Sequence, residues 1–258
     1  MGLFDGLRKL FGKGKPTAVD ADGGAPSRVD VAEAVDKDGG GGRGDGKSKC
    51  VNGINNGINS SNDIKKFKPD LFVIGLGNPG AKYDGTRHNV GFDVADCFCA
   101  AMGGEAAGRS ECCEALCRAV FCGAARKPVL VAKPLTYMNL SGDAVGALVR
   151  KYGVGADRCL IIVDDFQIPL GKLRFRKDGS PGGHNGLKSV SAAIGPGYPR
   201  LRAGIGPLPK GAGVIDFVLG AFEESERGEA ADMVKAAAEA VAFMVDNGID
   251  AAMNKYNG

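Results

Sequence analysis

The chain has 258 residues, of which 44% are hydrophobic and 24% are charged, a balance typical of a globular protein. No run of 18 apolar residues occurs, so the sequence predicts no membrane-spanning helix. The charge is uneven: residues 1–69 contain 12 Lys and Arg against 9 Asp and Glu, whereas the other 189 residues contain 21 of each. The net charge of +3 therefore comes from the first segment and does not by itself indicate a nucleic-acid partner.

The first 69 residues differ from the rest in composition. Residues 1–15 place apolar side chains at helical spacing beside basic ones, which is typical of an interfacial helix or an organelle-targeting segment; a frayed terminus is the alternative. Residues 16–68 are rich in Gly and polar residues and predict a disordered linker. We therefore divide the chain into an extension, residues 1–69, and a folded domain, residues 70–258. The protein is expected in the cytoplasm, or in a chloroplast or mitochondrion if the extension is a targeting segment.

From residue 70 onward, apolar runs rich in β-forming residues alternate with helical patterns. The predicted strands are 71–76, 119–122, 128–133, 159–163, 172–176 and 201–206, and the predicted helices are 90–102, 141–152, 187–194 and 223–247. Such alternation is typical of the α/β class. We expect a single domain with a central mixed, mostly parallel twisted sheet flanked by helices.

The cysteines and histidines give no metal pattern. The eight Cys form no C-x-x-C pair and only two His are present, so a structural zinc site is not predicted. Most of the thiols are predicted to be small core residues in a reducing compartment.

A glycine-rich loop follows the first predicted strand. Gly75, Gly77 and Gly80 match G-x-G-x-x-G, the pattern of dinucleotide-binding proteins. That site requires a helix to begin at the third glycine, whose amides hold the pyrophosphate. Here helical periodicity begins only near Asn89. The loop therefore does not predict nucleotide binding.

Polar side chains instead gather where predicted strands end and helices begin. His88 lies in GTRHNVGF, His184 lies in GGHNGL, and Asp164 follows the apolar run CLIIV. Asn78, Asn139 and Asn185 occupy neighbouring loops. If the sheet is parallel, these loops converge at one of its edges, where open α/β sheets bind their ligands. Structural His residues and helix-capping Asp residues remain the alternative interpretation.

These residue types are compatible with a hydrolytic site. A His with a carboxylate on its second nitrogen can act as a general base for water. Asn side chains offer both a donor and an acceptor, so they can bind a peptide backbone and stabilise an oxyanion. No G-x-S-x-G elbow occurs and no Cys adjoins either His, so a nucleophilic triad is not predicted.

Five ordered sequence blocks resemble bacterial-type peptidyl-tRNA hydrolases, and the similarity covers residues 70–258. The blocks are GLGNPGAKYDGTRHNVGF, KPLTYMNLSG, VDDFQIPLGKLRFR, GGHNGLKS and RLRAGIGPLP. The resemblance implies a monomeric α/β enzyme, without metal or cofactor, that cleaves the ester between a peptide and the 3′ end of tRNA. Such enzymes recycle peptidyl-tRNA released from ribosomes.

The resemblance also implies a role for individual residues. The implied catalytic residues are His88, Asp164 and Asn78; the implied substrate-binding residues are Tyr83, Met138, Asn139, Asn185 and His184; and the implied tRNA-phosphate contacts are Arg174, Arg176 and Arg202.

The charge pattern near the third block is consistent with a tRNA partner. Residues 164–210 contain eight basic side chains against three acidic ones. Strand alternation places Lys172, Arg174 and Arg176 on one face, which favours contact with phosphates, although a solvated strand face shows the same pattern.

Three features depart from the family pattern. Val163 stands where the family usually has His, Gln167 stands where it has Asp, and the extension is absent from the compact bacterial enzymes. A relative of this fold in chloroplasts acts in group II intron splicing without hydrolysis. A non-hydrolytic RNA-binding splicing factor is therefore the alternative function.

Overall fold

Six strands form one sheet in the computed structural model of the chain, which describes residue 64 and residues 66–103 and 113–257. The strands are β1 (Leu71–Gly75), β2 (Ala115–Cys122), β3 (Lys127–Pro134), β4 (Cys159–Pro169), β5 (Leu173–Arg176) and β6 (Arg200–Gly206). Their order is β2-β3-β1-β4-β6-β5. The central strands are parallel, and β2 and β5 pair antiparallel at the edges. The predicted mixed, mostly parallel sheet is confirmed.

Helices cover both faces of this sheet. The helices are α1 (Val90–Ala101), α2 (Ser141–Tyr152), α3 (Asn185–Ile194), α4 (Val214–Leu219), α5 (Arg227–Asn247) and α6 (Ile249–Tyr256), with single 3-10 turns at Ala81–Tyr83, Arg87–Asn89, Met138–Leu140 and Ala156–Arg158. On one face, Phe72 and Ile74 of β1 share a buried cluster with Leu148 of α2 and Leu187 of α3. On the other face, α1 packs against β1 and α5. Because both faces are covered, the inner parts of the central strands are apolar, as in residues 72–74 of β1 and 159–163 of β4.

Two glycines set the distance between α1 and the sheet. A Cβ atom at Gly75 would collide with the carbonyl oxygen of Gly91, and one at Gly91 would collide with the carbonyl oxygens of Leu76 and Ile162. The start of α1 therefore lies directly against the ends of β1 and β4. This close approach brings the turn before α1, which carries His88, to the carboxyl end of the sheet. Gly75, the first glycine of the loop that resembles a nucleotide-binding motif, thus serves helix packing, and no α-helix begins at Gly80.

Some element boundaries differ from the prediction. The long helix begins at Arg227 and not at residue 223, because the carboxylate of Glu226 accepts the amide of Glu223 and forms an ion pair with Arg87. β4 continues to Pro169, since Asp164 and Asp165 pair with β6. Helices α4 and α6 were not predicted; each is short, at six and eight residues.

The folded domain includes residues before the predicted boundary at residue 70. Ile64 is 2% exposed and belongs to the core cluster, and its carbonyl oxygen accepts the Tyr152 hydroxyl at 3.1 Å. The ring of Phe67 lies edge-on to Phe121 with centroids 5.9 Å apart. Packing against the domain therefore begins at Ile64 or earlier. The predictions for residues 1–15 and for the linker up to residue 63 lie outside the described residues.

Two further predictions can be compared with the structure. Five cysteines are buried as predicted, namely Cys99, Cys113, Cys117, Cys122 and Cys159. Cys97 is partly exposed, and Cys50 and Cys112 lie outside the described residues. Within the described part of the chain, no helix has the length and apolar character needed to span a membrane.

Candidate active site

A cavity of about 410 Å³ opens beyond the carboxyl ends of β1 and β4. It is bounded by the turn after β1, the Met138–Leu140 turn, the start of α3 and helix α4. The predicted site residues that line it are Asn78, Tyr83, His88, Met138, Asn139, Asp164, His184, Asn185 and Arg202. The convergence predicted from the loop positions is confirmed for Asn78, His88, Asn139, Asp164, His184 and Asn185. Arg174 and Arg176 do not line the cavity.

Two histidines share one carboxylate at the base of this cavity. Oδ1 of Asp164 lies 2.8 Å from Nδ1 of His88 and 3.1 Å from Nε2 of His184. The two imidazole rings are 5.1 Å apart between centroids and tilted by 45°. Asp164 is only 2% exposed, whereas both rings retain some contact with the cavity.

The two hydrogen bonds keep Asp164 ionised. Burial would raise the pKa of this carboxyl, but the hydrogen bonds donated by His184 and His88 outweigh burial and hold the pKa well below its usual range. A charged Asp164 accepts hydrogen bonds and donates none. Nδ1 of His88 therefore carries its proton toward Asp164, which leaves Nε2 as the ring atom able to accept a proton from water.

Asn78 is held rigidly beside this pair. Its side-chain Oδ1 accepts the backbone N–H of Met138 at 2.8 Å. Its own backbone is held on both sides by Asn89, whose Oδ1 accepts the Asn78 N–H at 2.8 Å and whose Nδ2 donates to the Asn78 carbonyl at 3.1 Å. Because the oxygen of the Asn78 side chain is already engaged, its Nδ2 group is the end left to donate to a substrate oxygen. Asn89 was missed by sequence reasoning, although it directly follows His88.

The remaining predicted polar residues lie at the mouth of the cavity. Asn139 and Asn185 are exposed and line opposite turns, one before α2 and one at the start of α3. Tyr83 forms an edge-on pair with Tyr137, with centroids 6.4 Å apart. The amide groups can therefore reach a bound backbone beside an aromatic wall.

An apolar wall of the cavity was not predicted. It consists of Tyr137 together with Val214, Ile215, Val218 and Leu219 from α4. Ile215 is 71% exposed and lies beside the exposed side chains of Val214, Leu219 and Tyr137, so the wall is a contiguous apolar patch, which is typical of a ligand-binding surface. The available sequence signal was the apolar run VIDFVL between Gly213 and Gly220, which is too short to separate from a strand by periodicity.

The three predicted phosphate contacts occupy different environments. Arg174 and Arg176 are exposed on the edge strand β5, flanking the buried Phe175. Arg202 is directly opposite Arg174 on β6, but its guanidinium forms an ion pair with Asp165 at 3.0 Å and donates to the carbonyl of Ser180. Arg202 is therefore largely buried and paired, unlike Arg174 and Arg176. It forms part of the cavity wall.

The two positions that depart from the family pattern lie outside the cavity lining. Val163 is fully buried in the core, and Gln167 is exposed with its backbone N–H donating to Asp165. Neither lines the cavity. Both substitutions therefore leave the contacts of His88 with Asp164 in place.

Among the described residues, only His88, Asp164 and His184 form a group that could hold a metal ion, with their ligand atoms within 4.8 Å of one another. His88 and His184 each already use one ring nitrogen in a hydrogen bond with Asp164. These contacts need no metal to hold the three side chains in place.

The fold and the cavity together define an α/β protein with a buried His–Asp pair surrounded by amides, an arrangement that can activate water for hydrolysis. The comparison with known proteins agrees. The sequence profile of the peptidyl-tRNA hydrolase family matches residues 72–258. The chain belongs to this family.

Individual members of the family match the same part of this chain along nearly their whole length. Peptidyl-tRNA hydrolase from Fervidobacterium nodosum is 42% identical over 187 residues, spanning 72% of this chain and 96% of the relative. The peptidyl-tRNA hydrolase from Symbiobacterium thermophilum is 43% identical over 186 residues, spanning 72% of this chain and 97% of the relative. The crystal structure of peptidyl-tRNA hydrolase from Acinetobacter baumannii has a TM-score of 0.68 at 30% identity and covers 74% of this chain and 96% of that one.

Proposed function

We propose that the protein hydrolyses the ester between a peptide, or an N-blocked amino acid, and the 3′ end of tRNA, with His88 as the general base. The observation that carries this proposal is the contact between Nδ1 of His88 and the ionised, buried Asp164. That contact fixes the ring tautomer and leaves Nε2 free to take a proton from water. An aminoacyl ester is already activated, so a general base suffices without a covalent nucleophile.

The surrounding amides supply the rest of the chemistry. As water attacks, negative charge develops on the ester carbonyl oxygen, and the fixed Nδ2 group of Asn78 can stabilise it. Asn139 and Asn185 at the mouth can bind the peptide backbone without selecting a sequence, since amide groups both donate and accept. The apolar wall from α4 and Met138 would exclude bulk water from the ester.

The tRNA body is proposed to lie along β5. Arg174 and Arg176 are exposed there, and within the described residues neither forms an ion pair. Arg202, opposite Arg174 on the neighbouring strand, lies between these cations and the cavity. A phosphate contact at β5 sets position and affinity but carries no base specificity.

The decisive assay is the release of the blocked amino acid from N-blocked aminoacyl-tRNA by the purified protein, with His88→Ala as the matched negative control.

Arg176→Ala should raise KM for full-length tRNA and leave kcat within about three-fold. Because one phosphate contact is lost, the salt dependence of tRNA binding should also fall by about one unit of slope. The KM effect should shrink on a short 3′ fragment. An equal loss on both substrates would place Arg176 at the ester.

The splicing alternative has no observation in its favour. Salt-sensitive RNA binding with no cleavage of either substrate would support it and would remove the catalytic assignment.

The proposed catalytic unit is the segment that the family profile matches together with the residues from Ile64 onward that pack against it. The monomeric state and the targeting role of residues 1–15 stay predictions.

A further inference from the structure

His184 uses both of its ring nitrogens within the protein. Nδ1 accepts the backbone N–H of Leu187 at 3.3 Å and so caps the start of α3. Nε2 lies 3.1 Å from Oδ1 of Asp164. A backbone N–H can only donate, so Nδ1 must be unprotonated and Nε2 must carry the ring proton. Protonation of Nδ1 would turn its hydrogen atom against that N–H at the positive end of a helix.

The cap therefore determines where the protons of the whole cluster lie. His184 is held as a neutral ring that donates through Nε2 to Asp164. The same carboxylate oxygen accepts the N–H of His88. With both nitrogens engaged, His184 has no ring atom left for the substrate, in contrast to the substrate-binding role implied by the family resemblance.

We propose that His184 is a positioning residue: fixed as the cap of α3, it donates a second hydrogen bond to Oδ1 of Asp164 and thereby weakens the attraction of this carboxylate for a protonated His88. This inference rests on the proposed role of His88 as the general base. The physical cause is charge sharing on Oδ1. A carboxylate oxygen with a second donor attracts the His88 imidazolium less strongly than one with a single donor.

The other ionisable groups at the cavity leave this arrangement intact. Asp165 and Arg202 pair with each other at 3.0 Å. Arg87, the neighbour of His88, pairs with Glu226 at 2.6 Å. Tyr83 lies at the mouth against Tyr137. None of these groups forms a hydrogen bond with Asp164.

Two isosteric variants separate the two contacts of His184. In His184→Asn, the short amide can still cap α3 but cannot reach Asp164, because its polar atoms match the position of Nδ1. In His184→Gln, the longer amide matches Nε2 and can still donate to Asp164, while the cap is lost. The first variant removes the proposed function of His184, and the second retains it at a cost in helix stability.

The readout is the pH at which His88 becomes protonated. The chain has only two histidines, so His88 is the sole imidazole signal in either variant by NMR. We expect its titration midpoint to rise by about one pH unit in His184→Asn, the scale of one charge-assisted hydrogen bond, and to stay at the wild-type value in His184→Gln. The acidic limb of the kcat/KM profile should move with it. His184→Gln should melt at a lower temperature than His184→Asn.

A midpoint that is unchanged in His184→Asn, or that shifts equally in both variants, would overturn the proposal. NMR requires no turnover, so this result is independent of the catalytic assignment. If the wild-type protein fails to cleave N-blocked aminoacyl-tRNA while the midpoint still rises in His184→Asn, the proposed function falls and the coupling between the two histidines stands.

Discussion

Single atoms at the base of the cavity explain how two similar histidines acquire different roles. His88 contacts Asp164 through Nδ1, and His184 contacts the same oxygen through Nε2. The difference follows from local backbone: His88 belongs to a 3-10 turn before α1, whereas His184 is the N-cap of α3. Only the ring whose second nitrogen is not used as a cap can serve as a base.

Replacing His88 should therefore be more damaging than replacing its partner. We expect His88→Ala to lower kcat by about a thousand-fold, within the range of general-base catalysis. Asp164→Asn should cost less, since an amide oxygen can accept the same two N–H bonds and keep the ring oriented without the charge. Single-turnover release of the blocked amino acid measures both, and filter binding of tRNA is the control. Near-wild-type turnover by His88→Ala would exclude it as the base.

Asp164 should also make stability depend on pH. Its pKa in the folded protein is held below the ordinary value near 3.8, so the unfolded chain takes up the proton first as the solution becomes acidic. The stabilisation that the ionised Asp164 gives the folded protein is complete above about pH 4. It is lost as the pH falls through the lowered pKa of Asp164 in the folded protein. In urea unfolding, the difference in unfolding free energy between wild type and Asp164→Asn should therefore narrow from pH 5 to pH 3. A difference that is constant or widens contradicts this linkage.

At the scale of elements, the approach of α1 to the sheet positions the base. Gly91→Ala would place a Cβ against the carbonyl oxygens of Leu76 and Ile162, and backbone atoms cannot move aside as side chains can. We expect a loss of about 1–3 kcal/mol in unfolding free energy, the usual cost of overpacking, and a fall in kcat as His88 shifts from Asp164. The control is Gly228→Ala in α5, where the added Cβ meets nothing and helix propensity favours Ala by up to about 1 kcal/mol. Equal stability of the two variants would show that α1 moves without cost.

Elements also show what the sequence predicts well. The runs in β1 and β4 are apolar and β-branched because both faces of the sheet are covered, and this pattern is visible without coordinates. Helix α4 was missed because six residues give less than two turns of periodicity. The predicted start of α5 was too early. Residues 223–226 have a helical sequence pattern, but Glu226 is engaged in a tertiary ion pair with Arg87.

The same limit applies to the site. The polar residues at the strand ends were predictable because parallel strands bring their carboxyl ends together. The ion pair of Arg202 with Asp165 was not predictable. The two residues are 37 positions apart in sequence, and only the register of β4 with β6 brings their side chains together. The shared use of Asp164 by two rings is likewise a property of three-dimensional packing.

At the scale of the whole molecule, the least predictable feature is where the domain begins. The residues before 70 have a polar, Gly-rich composition overall, yet Ile64 and Phe67 pack against the domain. A chain of residues 64–258 should therefore be more stable than one of residues 70–258 by about 2–4 kcal/mol, the value of burying one or two large apolar side chains. Urea unfolding of the two chains measures this difference.

In the full chain, Ile64→Ala should lower the unfolding free energy by about 2–4 kcal/mol. The control is Lys66→Ala, at an exposed position, which should change the unfolding free energy by less than about 0.5 kcal/mol. Equal stability of the two shortened chains, together with a neutral Ile64→Ala, would return the domain boundary to residue 70.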